Sequence, residues 1–434
     1  MRDLSRRDVL RLAGAGAALA SLKGCGDNLA SRPAGDAHAV TVLEPRPDGF
    51  LISAWSSFAR SFSIEVRDGT GALIATDAID VGDNRQALST VTGLAPRATY
   101  LVTALSDDGT LCGPHRVRTA PAPDDTDPVR LAVGADLDPI PLFASDLLDH
   151  LIAADPDVLL TIGDFPYTDD GPAVALTVDA YRERHALLRT YPPMRAVMEA
   201  MPLASIYDDH EFRNNWDASF VASEPARYAA AMQVWDEFFP LRDTLGEVRY
   251  RNFPWGANVE VFVLDCRRFR SADDAPDDAQ KTMLGQIQKD WLYVVLAAST
   301  ATFKIILTSI PLDFGIGNDH WAAFSTEREE ILGRIADMKL TGVLFVSGDQ
   351  HYFAAYRHSY GLREFQIGPL GRGIGQAGPD GPNVLYRNLR YNFGLIDVVG
   401  DALTISGVGD DGTVFYKETL LAGDLAPNIL GALP

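Results

Sequence analysis

Val343-Leu344-Phe345-Val346-Ser347-Gly348-Asp349-Gln350-His351 sets four apolar residues in a row before a serine, a glycine, an acid and a histidine. A short apolar run closed by a turn signal predicts a strand buried on both faces, with its polar tail at the carboxyl end. Side chains two apart on extended chain point the same way, so Asp349 and His351 can converge on one centre. A histidine satisfied inside the core is the plainer reading of this motif taken alone.

The arrangement repeats along the chain. Arg130-Leu131-Ala132-Val133 runs into Gly134-Ala135-Asp136-Leu137-Asp138, Val158-Leu159-Leu160-Thr161-Ile162 into Gly163-Asp164, and Leu203-Ala204-Ser205-Ile206-Tyr207 into Asp208-Asp209-His210-Glu211. Val261-Phe262-Val263-Leu264 leads to Asp265-Cys266-Arg267-Arg268, and Ile305-Ile306-Leu307-Thr308 to Ser309-Ile310-Pro311. Buried strands that end in acids and histidines predict an α/β sheet whose ligands gather beyond the carboxyl ends of its strands. Phe393-Gly394-Leu395-Ile396-Asp397-Val398-Val399 and the segment around Asp411-Gly412-Thr413-Val414 predict hairpins that close a sheet edge.

Several of these tails are dense in metal-ligand types. In Gly163-Asp164-Phe165-Pro166-Tyr167, an aspartate leaving a buried strand can bridge two cations, and Tyr167 can offer a phenolate to a Lewis-acidic ion such as Fe(III); Gly-Asp is also an ordinary turn. In Asp208-Asp209-His210-Glu211-Phe212-Arg213-Asn214-Asn215-Trp216, acids complementing a helix start explain Asp208 and Glu211, but not His210 and Asn214. Asp136 and Asp138 repeat the two-apart spacing with a pair of carboxylates.

Taken in order, strand-G-D-x-x-Y, D-D-H-E-x-x-N-x-W and G-D-x-H resemble the alkaline phosphatase D branch of the calcineurin-like metallophosphoesterases. Leu264-Asp265-Cys266-Arg267-Arg268-Phe269-Arg270 and Met283-Leu284-Gly285-Gln286-Ile287-Gln288-Lys289-Asp290-Trp291-Leu292 resemble two further motifs of that family. The resemblance implies a four-layer α/β/β/α catalytic domain that hydrolyses phosphate mono- or diesters by metal-activated water. It implies an iron site built from Asp164, Tyr167 and His351, beside a calcium site shared by Asp164, Asn214 and Asp349. Asp209 would ligate, and His210 would stabilise or protonate the transition state. The family's usual cysteine ligand is Asp136 here, and a hard carboxylate in place of a soft thiolate opens the site to zinc or manganese.

A phosphate ester substrate needs positive charge around it. Arg213, Arg267, Arg268, Arg372 and His320, in the Asn318-Asp319-His320-Trp321 loop, are candidate contacts; a surface ion pair or simple packing is the plainer reading of each. His38, His115, His150, His185 and His358 lie outside any ligand cluster.

Upstream of the Pro/Asp-rich connector at 121–128, residues 40–120 alternate short β-like runs with turns and predict a small β-sandwich. Val91-Thr92-Gly93-Leu94-Ala95-Pro96-Arg97-Ala98-Thr99-Tyr100 resembles the fibronectin type III pattern. The catalytic domain is expected over 129–434. Residues 1–25 read as a twin-arginine signal, with Arg6-Arg7 before a short Gly/Ala-rich apolar run, and 26–39 as a tether. Leu22-Lys23-Gly24-Cys25 resembles a lipobox that would lipidate Cys25 and anchor the chain to a membrane; Ala37-His38-Ala39 offers an ordinary cleavage site instead. The expected location is thus periplasmic, extracellular or membrane-anchored.

Of 434 residues, 59 are Asp or Glu against 38 Lys or Arg, a formal charge of −21. That balance repels a phosphate backbone and excludes nucleic acid as the main partner. Three separated cysteines exclude a zinc knuckle and allow one bridge at most; with Cys25 lipidated or removed, Cys112 and Cys266 would be buried thiols. A monomer is expected. The rival reading is a non-catalytic cell-envelope binding protein that kept the fold. A calcium-dependent structural role fits less well, since Tyr and His are poor calcium ligands.

Overall fold

The computed structural model describes residues 38–138, 146–170, 174–242 and 248–428. The expected leader and Cys25 lie outside them.

Seven strands come first: β1 (His38–Arg46), β2 (Gly49–Ser56), β3 (Ser61–Asp68), β4 (Leu73–Asp80), β5 (Gln86–Thr92), β6 (Thr99–Ser106) and β7 (Leu111–Arg118). β4-β3-β6-β7 make one antiparallel sheet, and β1, β2 and β5 face it across a core that includes Val42, Phe50, Ile52, Ile64 and Tyr100. Leu94 and Tyr100 of the fibronectin-like pattern both lie in that core, and the Tyr100 hydroxyl accepts the Ala95 N–H at 2.9 Å.

The remainder alternates strands with helices: β8 (Val129–Gly134), α1 (Leu147–Ala153), β9 (Val158–Ile162), α2 (Val178–Thr190), α3 (Pro192–Ala200), β10 (Leu203–Ile206), α4 (Ala218–Ser223) and α5 (Pro225–Phe238). Then come β11 (Arg251–Pro254), β12 (Val259–Val263), α6 (Gly285–Ala298), β13 (Phe303–Leu307), α7 (Ser325–Asp337), β14 (Val343–Ser347), β15 (Phe353–Arg357), β16 (Arg363–Gln366) and β17 (Val384–Asn388). The closing antiparallel strands are β18 (Asn392–Val399), β19 (Ala402–Gly409) and β20 (Val414–Leu421), with β20 at the sheet edge.

β11-β12-β13-β14-β16-β15-β17 form a seven-stranded sheet, with β12, β13, β14 and β16 parallel. Strand alternation divides its side chains. Val259, Val261 and Val263 face the main core shared with β8, β9, β10 and β18, whereas Phe262 packs with α6 and α7. Helices α1 and α3 contribute Leu147, Leu148, Met194 and Val197 to the main core. The result is an α/β/β/α stack behind a β-sandwich, as expected.

The second sheet has nine strands, β20-β19-β18-β8-β9-β10-β1-β2-β5, and runs across the expected boundary at 121–128. β1 meets β10 in parallel, Leu43 opposite Leu203. β1 and β2 are therefore buried on both faces: Val42 and Ile52 serve the sandwich, Leu43, Leu51 and Trp55 the main core. Cys112 and Cys266 are both buried; Cys266 is a free thiol and Cys112 is disulfide-bonded, within the one bridge that three cysteines allow.

Candidate metal centre

Five strand ends meet where the two sheets open. Asp136 and Asp138 follow β8, Asp164 and Tyr167 follow β9, Asp208, Asp209 and His210 follow β10, and Asp349 and His351 follow β14. The loop after β16 closes over them at Gly371–Gly373. Parallel strands end in register, so their first loop residues are delivered side by side.

The chain must turn sharply to aim these side chains inward. Asp136, Asp164, Asp349 and His351 have φ of 59°, 58°, 70° and 58°, the left-handed region that L-residues seldom occupy. Such strain persists where the surroundings over-determine it. Gly163, at φ 105°, leaves no room for a side chain: a Cβ there would stand 2.3 Å from that of Asp208.

Ligand-type atoms from Asp136, Asp164 and His351 lie within 4.8 Å of one another, as do those of Asp164, Asp209 and His210, and those of Asp208, Asp209 and Asp349. Asp164 belongs to two groups and so does Asp209, which makes one continuous centre. The Tyr167 hydroxyl donates to Asp164 Oδ2 at 2.7 Å and lies 2.9 Å from His351 Nε2. His351 Nδ1 donates its hydrogen to the Gly373 carbonyl at 2.6 Å, which leaves the Nε2 lone pair facing the centre.

Electrostatics here run against ordinary ionisation. Burial, then neighbouring carboxylates, pushes Asp164 well above the usual carboxylate range, and burial does the same for Asp136 and Asp349. Burial also raises Tyr167 well above a free phenol and pulls His351 down to about 4. His210 moves the other way: burial opposes its charge, but Asp209 and the hydrogen bond to Asp169 lift it to about 9. Asp136 Oδ2 and Asp209 Oδ1 are buried oxygens with no hydrogen-bond partner. Buried lone pairs are normally satisfied, and unpaired acids at this density suit cations.

Asn214 is exposed, and only its backbone N–H turns inward, to Asp169. Its neighbour Asn215, at φ 52°, turns its side-chain amide inward, 3.0 Å from Asp319 Oδ2 and 3.1 Å from Asp209 Oδ2. Arg213 pairs with Glu224 at 2.9 Å and stacks on Phe220. His320 is half-buried, with Nε2 3.3 Å from the Gly317 carbonyl. Arg267 is fully buried: its fork grips Asp208 at 2.6 and 2.8 Å and Asp319 at 2.9 and 3.0 Å, so it is an internal ion pair. Arg268 is half-buried, its backbone N–H bonded to Asp265.

Sequence reasoning missed Asp169, which lies 2.6 Å from His210 Nδ1. A second acid in Thr168-Asp169-Asp170 carries no spacing signal, because the chain leaves regular structure there. The inward roles of Asn215 and Asp319 were equally silent.

Two stacked sheets that bring carboxylates and imidazoles together at their strand ends define the metallophosphoesterase class. Within it, this chain belongs to the PhoD-like phosphatase family, whose model matches residues 145–372. Alkaline phosphatase D of Bacillus subtilis (strain 168) is 28% identical over 248 residues, 46% of this chain and 42% of that protein, so the match spans under half of the relative's length. The solved structure of PhoD superposes with a TM-score of 0.77 at 20% identity over 88% of each chain. The purple acid phosphatase PPD1 from yellow lupin (Lupinus luteus) seeds superposes at 0.63 with 14% identity, over 91% of this chain and 77% of that one. At these identities the two structures speak for the fold.

Proposed function

We propose that the protein hydrolyses phosphate esters at this centre, with Asp136, Asp164, Tyr167 and His351 holding one cation and Asp164, Asp209, Asp349 and the amide oxygen of Asn215 a second, Asn215 standing in for Asn214. The observation that carries this is the pair of buried, unpartnered carboxylate oxygens on Asp136 and Asp209 beside carboxylates shared between groups. Cations there would supply the positive charge that an ester's anionic oxygens require of so acidic a chain. The protein's own part is positional. His210, fastened through Nδ1 to Asp169, presents Nε2 to the substrate and can give its proton to the leaving oxygen. Family membership supports the reading, and a purely adhesive protein would have no use for four strained ligand positions.

Purified full-length protein, loaded metal by metal, is expected to turn over p-nitrophenyl phosphate or its bis ester, and Asp164→Ala or His351→Ala to lower kcat/KM by about a thousandfold or more. No turnover with any metal, or variants as active as the parent, would sink the proposal. Elemental analysis with a visible spectrum decides the metals. A Tyr167–Fe(III) bond colours the protein and Tyr167→Phe bleaches it, whereas zinc or manganese leaves it colourless.

We also propose export by the twin-arginine route. The paired arginines support it.

A further inference from the structure

Arg372 stands at the rim of the centre with its backbone fastened to two of the proposed ligands. The N–H groups of Gly371 and Arg372 donate to the carbonyl of Asp136 at 3.1 and 2.9 Å. The carbonyl of the next residue, Gly373, accepts the Nδ1–H of His351 at 2.6 Å. The loop therefore moves only if those ligands move. Arg372 Cζ lies 4.3 Å from the centroid of the Tyr167 ring, against which His210 also packs with centroids 4.2 Å apart. The guanidinium, the proposed proton donor and the proposed cation site thus share one aromatic platform.

Two carboxylates hold the guanidinium, and they differ. Nη1 donates to Asp138 Oδ2 at 2.5 Å and Nη2 to Asp170 Oδ2. The Asp138 side chain is 6% exposed, but that of Asp170 is 47% exposed. Asp138 is anchored beside Asp136 at the end of β8. Asp170 is half in water, where an ion pair is weak and easily exchanged.

We propose that Arg372 binds a non-bridging oxygen of the substrate's phosphate group, with Asp170 as the counter-ion that the phosphate displaces and Asp138 as the fixed partner that keeps the guanidinium aimed. This rests on the phosphoesterase reading and adds to it the residue that recognises the anion. A planar fork of donors matches phosphate geometry, and one edge engaged by Asp138 leaves the other to face the ligand. A phosphate held partly by the centre's cations outcompetes a solvated carboxylate, while Asp170 keeps the rim from acting as an open trap for any anion.

The test uses metal-loaded, full-length protein, titrated with inorganic phosphate by calorimetry and separately assayed with p-nitrophenyl phosphate. Arg372→Gln is expected to weaken phosphate binding and raise KM about tenfold to a hundredfold, with metal content unchanged. Arg372→Lys, which keeps the charge without the fork, should recover part of that loss. Asp170→Asn should tighten phosphate several-fold, and the gain should vanish in the Arg372→Gln background. Parent-like affinity in Arg372→Gln, loss of metal from it, or a gain from Asp170→Asn that survives without Arg372 would each overturn the assignment. If phosphate binding follows the expected pattern and no ester is turned over, the activity reading fails and the assignment stands. If esters are hydrolysed while phosphate affinity ignores Arg372, the assignment alone fails.

Discussion

Asp169 shows how much of a site can hang on one side chain. One oxygen engages His210 Nδ1 at 2.6 Å and the other accepts the backbone N–H of Asn214, so the same carboxylate orients the imidazole and pins the turn that carries it. An amide in its place can keep the turn but cannot favour a charged imidazole. Asp169→Asn is expected to lower kcat about tenfold to a hundredfold with little change in KM, since a partner behind a working histidine is worth roughly that much. A rise in KM alone, with kcat kept, would show that Asp169 serves only to bind substrate. Asp136 is the other decisive residue. Its Oδ1 accepts the Asp349 N–H at 3.1 Å while Oδ2 stays open, so it offers an oxygen to the centre without losing its place.

At the level of elements, helix α3 docks against β1 and buries a carboxylate between them. Glu199 Oε1 has no hydrogen-bond partner, and burial lifts the group from 4.5 to about 7 even though Arg195 and the Val40 backbone pull the other way. Because its folded value lies above the unfolded one, the fold binds the proton more tightly than the unfolded chain does. Its contribution is fully present below about 4.5, is lost as pH rises through about 7, and is constant above that. Glu199→Gln is expected to remove this decline and to stabilise the protein near pH 8 by up to about 3 kcal/mol. The check is the difference between the two Tm-against-pH curves, which is flat if Glu199 is not the titrating group. The strands themselves follow their apolar runs closely, since β8, β9, β10, β12, β13 and β14 all fall where those runs were read. The loops were legible only as donor types, because the turns that aim them depend on what stands opposite.

For the whole molecule, length along the chain and neighbourhood in space diverge. The connector at 121–128 reads as a boundary, yet β1 and β2 lie in the large sheet and give one face to each core. A strand buried on both faces looks the same in sequence whether its second face meets its own sandwich or another unit. Among the described residues no helix is long and apolar enough to cross a membrane. Replacing Arg6 and Arg7 by lysines should leave the protein in the cytoplasm, and Cys25→Ser should release it from the membrane fraction if Cys25 carries lipid. Export that ignores the arginines, read by cell fractionation, would refute the proposed route.

The sequence by itself determined the buried strands, their order, the β-sandwich ahead of them and most of the acids and histidines at their ends. These rest on local patterns of apolar run, turn and donor type that need no partner to be seen. The tertiary structure alone decided that Asn215 rather than Asn214 turns inward, that Arg267 is sealed in an ion pair, that Asp169 backs His210, and that Gly371–Gly373 carries Arg372 to the rim. Each of these is a contact between residues far apart in the chain, set by where strand ends from two sheets meet. Val343 to His351 therefore shows the strand and two ligand-type side chains, but the His351 ring is held by a glycine carbonyl 22 residues on that accepts its Nδ1–H.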